Sequence, residues 1–121
     1  MDFSQFRNND IMHIIEDAAS ISINLGLKYI EPISIFVSLN QRYTEELAQY
    51  LNLCNVAPNA FYSRLVNCIE EYPHSNNEDG IKMSDNTINA LYITLEIESR
   101  IGEMAYPNSA LITALFMTPG P

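Results

Sequence analysis

The sequence predicts an all-α domain, a pseudo-duplicated helical repeat of about six helices whose second repeat is incomplete. Three observations carry this. Apolar residues recur at three- and four-residue steps in several windows, the period of one helix face. Glycine and proline stand between those windows, where helices stop and start. The same order of long helix, turn and short apolar helix is met twice along the chain.

The first helix is expected over Asp10 to Leu25, with Ile11, Ile14, Ile15, Ala18, Ser22 and Leu25 on its inner face. Asn8 stands at the N-cap position, and Gly26 stands where the chain can turn left-handed to stop. Pro32 then fits the first turn of a second helix, because its missing N–H costs nothing there. Ile33, Ile35, Phe36, Val37 and Leu39 make that helix apolar on most sides and therefore central; their β-branched content also admits a strand.

Tyr43 to Leu53 predicts a third helix, with Leu47, Leu51 and Leu53 set among polar residues and a Thr44 cap before Glu45 and Glu46. After a break containing Pro58, Ala60 to Tyr72 predicts a fourth, with Phe61, Leu65, Val66, Cys68 and Ile69. Residues 73–80 are polar and breaker-rich, an exposed connection. Ser84 caps a fifth helix with Ile88, Leu91, Leu95, Glu98 and Ile101 along one face before Gly102. A short sixth runs from Ala110 to Met117, ahead of Thr118-Pro119-Gly120-Pro121. All 121 residues read as one domain: repeat one at about 8–72, a linker at 73–83 and a partial repeat two at 84–121.

Composition narrows function. A formal net charge of -9 repels phosphate backbones and anionic lipid, so neither nucleic acid nor membrane is expected as a partner. No apolar run approaches the roughly 18 residues of a membrane span, and the N-terminus has no signal-peptide pattern, which makes a cytoplasmic protein the expectation. Cys54 and Cys68 form neither a zinc pattern nor a disulfide framework and read as small core residues in a reducing compartment. No cofactor or metal is expected. His13 and His74 each lack a partner in sequence, and adjacent carboxylates such as Glu70-Glu71 point apart rather than facing each other for acid–base work. With no GxxxxGK[ST] loop to cradle phosphates, the segment is not expected to be an enzyme.

Superposing Gly26 on Gly102 gives an offset of 76 (102 − 26). Asn8 then falls on Ser84, Ile15 on Leu91, Ile21 on Ile97, Leu25 on Ile101, Ile35 on Leu111, Phe36 on Ile112, Ser38 on Ala114 and Leu39 on Leu115. This doubled register, with Leu25-Gly26 and Tyr29-Ile30 in one copy and Ile101-Gly102 and Tyr106 in the other, resembles the N-terminal repeat domain of Clp-type AAA+ unfoldases, the ClpA, ClpB, ClpC and ClpV group. Ser84 takes the place of that family's second capping threonine.

Two departures stand out. The family's Gly-Thr-Glu-His turn is replaced by Glu31-Pro32-Ile33-Ser34 and by Pro107-Asn108-Ser109-Ala110. Ile33 and Ser109 occupy the places of the glutamates that help the Gram-positive ClpC branch to hold phosphoarginine, so that recognition is not expected. In addition, the third and fourth helices, roughly Thr44 to Tyr72, have no second copy. That points to a segment of a longer polypeptide or to a standalone relative without the final quarter.

The resemblance implies a module that binds a substrate or adaptor, as a peptide or a helix, for an ATP-driven unfoldase, hexameric in its parent. The ClpV branch of type VI secretion is one home for it. The alternative is a standalone accessory subunit docking onto a protease or a secretion assembly. Tyr29, Glu31, Ile33 and Ser34 at the first turn, and Tyr106, Asn108 and Ser109 at the second, are the expected exposed partner-binding residues.

Overall fold

A computed structural model describes residues 2–75, 80–101 and 106–118. Helix dominates: α1 (Ile11–Asn24), α2 (Pro32–Arg42), α3 (Thr44–Leu53), α4 (Pro58–Cys68), α5 (Asp85–Arg100) and α6 (Ser109–Met117). α2 is helical throughout, with Pro32 in its first turn, so the strand alternative for 33–39 is excluded. Short 3-10 turns lie at Phe3–Gln5 and Ile69–Glu71, the second carrying the fourth helix onward in a tighter form.

One small sheet was not foreseen. β1 (Tyr29–Ile30) pairs in parallel with β2 (Lys82–Met83), Tyr29 opposite Lys82 and Ile30 opposite Met83. β2 lies inside the expected linker. Further backbone bonds fasten the two segments: Lys28 N donates to Pro73 O at 2.8 Å, and Ser75 N donates to Gly26 O at 3.0 Å. A two-residue strand has no periodicity to announce it, and its pairing depends on a partner over fifty residues away.

The duplication is visible in what each helix buries. α1 buries Ile11, Ile14, Ile15, Ala18 and Ser22. α5 buries Thr87, Ala90, Leu91, Thr94 and Glu98, the same positions moved by 76 (87 − 11). Ile35, Phe36, Ser38 and Leu39 of α2 likewise map onto buried Leu111, Ile112, Ala114 and Leu115 of α6. Each long helix packs on its own short helix, and the two short helices meet in a core with Leu47, Leu51 and Phe6. Each fully buried Leu or Ile contributes about 1.5–3 kcal/mol through its removal from water. Arg42 of α2 also forms an ion pair with Asp17 of α1.

The inner face of α5 differs from the expected one. Ile88 is only partly buried and Ile101 is 50% exposed, while Thr87 and Thr94 are sealed. Both hydroxyls are satisfied, Thr87 Oγ1 by Ile30 O at 2.7 Å and Thr94 Oγ1 by Ala90 O at 2.8 Å, which removes the penalty for hiding them.

The caps divide similarly. Ser84 Oγ accepts from Thr87 N at 3.2 Å, as expected. Gly26 has φ 74°, and bonds from Gly26 N to Ile23 O and from Leu27 N to Ser22 O close α1 in a Schellman motif. Asn8 is not the cap of α1; that position is Asp10, and Asn8 Oδ1 accepts from Asp10 N one step earlier. Nor does Thr44 cap α3: its hydroxyl donates back to Asn40 O, and Tyr43 stands at the N-cap. α4 starts at Pro58, two residues before the expected Ala60. The cysteines are not core residues, since Cys54 is exposed and Cys68 half-buried. Leu53 is 83% exposed at the end of α3. Gly102 and Pro119-Gly120-Pro121, expected to end the last two helices, lie outside the described residues.

Candidate functional site

The two turns expected to form a docking face are largely closed. Ile33 is 2% exposed, and Glu31, Ser34 and Asn108 are buried as well. The reason is the central position of α2, along which α1 packs. Ser34 Oγ accepts from Ser22 Oγ at 2.5 Å, an internal link between α2 and α1. Asn108 joins a buried network, accepting from Asn8 Nδ2 at 2.6 Å while its own N and Nδ2 donate to the two carboxylate oxygens of Glu46. Only Tyr106 is exposed, with Tyr29 and Ser109 half-buried; the Lys28 ammonium lies 5.4 Å from the Tyr29 ring centre.

Nor do the turns converge. Tyr106 borders a hollow of about 440 Å³ with Arg42, Tyr43, Glu45 and Glu46. Ile33 lines a different groove of about 390 Å³ between α2, α4 and α6, whose walls are Pro32, Phe36, Phe61, Leu65, Tyr72, Leu115 and Phe116. An adjoining hollow of about 250 Å³ shares Phe61, Arg64, Leu65 and Tyr72 with it and adds Val56 and Cys68. Together they form one apolar trough along α4.

Aromatic packing builds the floor. Phe36 meets Phe61 at 5.1 Å and Phe116 at 5.2 Å, both edge-on, and Tyr50 stacks on Phe116 at 5.2 Å with 11° between the rings. Four helices are thereby joined at one place. α4 itself buries no residue fully, so its inner stripe of Phe61, Leu65 and Cys68 remains available to the trough. That stripe, continued by Tyr72, steps by four, three and four residues, and this spacing was the sequence signal for the groove. What hid it was the assumption that such a face must be covered.

The electrostatics are sparse. Arg64 is the charged side chain among the described residues lining the trough. Burial, with the nearby charges of Glu31, Cys68 and Glu71, pushes the Tyr72 phenol up to about 12, so it remains a neutral hydrogen-bond donor. Burial also raises Tyr62, and burial with a hydrogen bond to Asp10 raises Tyr43. Among the described residues no group of His, Cys, Asp or Glu is placed to hold a metal ion. No helix among them is long and apolar enough to cross a membrane. The arrangement can receive an apolar side-chain row.

The architecture is all-helical, two helical hairpins whose buried positions repeat at an offset of 76 residues. The structure is similar to the crystal structure of the Hsp104 N-terminal domain from Candida albicans, with a TM-score of 0.75 over 93% of this chain and 75% of that one, at 14% sequence identity. No family model matches the sequence, and no curated protein matches it significantly.

Proposed function

We propose that the chain is a protein-interaction module of a Clp-type AAA+ unfoldase, in which the trough between α2, α4 and α6 receives a segment of a substrate or adaptor. The observation that carries this is an open apolar trough on a fold similar to an Hsp104 N-terminal domain. Phe116 and Met117, 39% and 62% exposed, extend its apolar edge into solvent. Apolar grooves between helices are natural seats for amphipathic helices or extended peptides. In a hexameric parent, several such modules would raise the local concentration of weakly held clients around the pore. Of the residues at the two turns, Ile33 enters this reading directly, as a wall of the trough. The ClpV branch is the narrower form of the proposal, supported by Ile33 and Ser109 at the places of the phosphoarginine glutamates.

The test is binding of the isolated chain to a permanently unfolded client, reduced and carboxymethylated lactalbumin, measured by fluorescence anisotropy. Leu65→Ser should weaken binding about tenfold, in keeping with the loss of one well-packed apolar contact. Tyr92→Ala, on the far α5 and 58% exposed, should leave it unchanged. Failure of the wild type to bind, or equal effects of both changes, overturns the proposal.

A further inference from the structure

Arg64 is common to both hollows of the trough; Val56 and Cys68 belong to one of them alone, and Pro32, Ile33 and Phe116 to the other alone. Its guanidinium is also uncommitted. The other arginines are engaged within the chain: Arg7 donates to Glu98 through its backbone N at 3.0 Å and through its side chain, Arg42 pairs with Asp17, and Arg100 pairs with Glu96. Arg64 has no hydrogen bond or ion pair with any described residue. On its own helix the positions three and four residues away hold Ala60, Phe61, Asn67 and Cys68, so no carboxylate stands at pairing distance there.

We propose that the trough is selective for an apolar segment carrying one acidic side chain between its apolar anchors, the carboxylate pairing with the Arg64 guanidinium. This rests on the trough being the docking site. An occupant that fills both hollows lays apolar groups on either side of Arg64, which places the carboxylate inside the segment and not at a chain terminus. Docking strips water from an unpaired guanidinium on an apolar wall, which rejects a cation there and favours a carboxylate able to accept two parallel N–H bonds. The net charge of -9 opposes an acidic partner only at long range, because salt screens charges beyond about 8 Å at physiological ionic strength. It slows the approach of acidic proteins as a whole and leaves a pair in contact intact. Glu31 and Glu71, whose charges reach Tyr72, disfavour a further carboxylate at that end, so the segment carries its acid at Arg64.

The probe is a labelled peptide of about twelve residues, rich in Leu, Phe and Ala, with one central glutamate, beside a twin carrying glutamine of the same shape. Anisotropy titrations should show the glutamate peptide bound about fivefold more tightly, the upper end for an ion pair at a surface. Arg64→Gln should bring the two affinities together by weakening the glutamate peptide and leave the glutamine peptide unchanged. Arg100→Gln, removing the same charge from an exposed place on α5, should preserve the preference and so separates the local pair from overall charge. Equal binding of the two peptides by wild type, a preference surviving in Arg64→Gln, or a preference lost in Arg100→Gln overturns the inference and leaves the trough reading standing. If neither peptide binds, the trough reading fails and this inference with it. Should Arg64→Gln not fold, wild type decides by itself: a glutamate-to-glutamine ratio near one overturns the inference, and a high ratio lost on adding salt upholds it.

Discussion

Asn8 Nδ2 donates to Asn108 Oδ1 across 2.6 Å, tying the entry of the first repeat to the start of the last helix. The bond belongs to a chain of polar contacts that runs from Glu98 through Asn8 and Asn108 to Glu46. Asn8 and Asn108 are buried, and so is Glu98, so each removed partner leaves a donor with no water to replace it.

Glu98→Ala should therefore destabilise the protein by about 3 kcal/mol, because it strands two backbone N–H groups at once. Asn108→Ala should cost about 2 kcal/mol by the same mechanism. Urea titrations followed by circular dichroism measure both; a loss below that of an exposed change such as Leu53→Ala would show that the network does not hold the repeats together.

Gly26 sets the direction in which the chain leaves α1. Its φ of 74° strains any L side chain, but the space there is free, since an added Cβ would meet His74 Cδ2 at an ordinary 3.7 Å. Gly26→Ala should thus cost about 1–2 kcal/mol, from backbone strain alone. Gly80→Ala, at φ 99° with open space around it, serves as the comparison in the same denaturation series.

The raised Tyr72 makes stability depend on pH in one direction. Its folded value of about 12 lies above the ordinary 10.0, so the unfolded chain ionises first. Stability from this group is complete below pH 10.0 and is lost as pH climbs through 10.0 toward about 12. Tyr43 and Tyr62 shift the same way and add to the decline. Urea midpoints across this range should fall less steeply for Tyr72→Phe than for wild type; parallel curves would refute the assignment.

The trough was only half legible. Phe61 and Leu65 read as an inner face from their spacing, and they are one, but α4 covers no core of its own and that face looks into an open groove. The turn residues went the other way. Ile33 and Ser34 read as exposed at the turn before the short second helix, yet both are buried, and Ser34 is bonded to Ser22 of α1. Spacing says which residues share a side of a helix; it does not say whether another segment arrives to cover that side.

The sequence by itself determined the helices, their glycine and serine punctuation, and the repeat, since these follow from local periodicity, backbone sterics and a self-similarity of 76 residues that needs no third dimension to detect. Tertiary structure alone decided which polar groups are shared between the repeats and how β1 meets β2. Those outcomes depend on groups brought together from distant parts of the chain, where a displacement of an ångström separates a hydrogen bond from an unsatisfied charge.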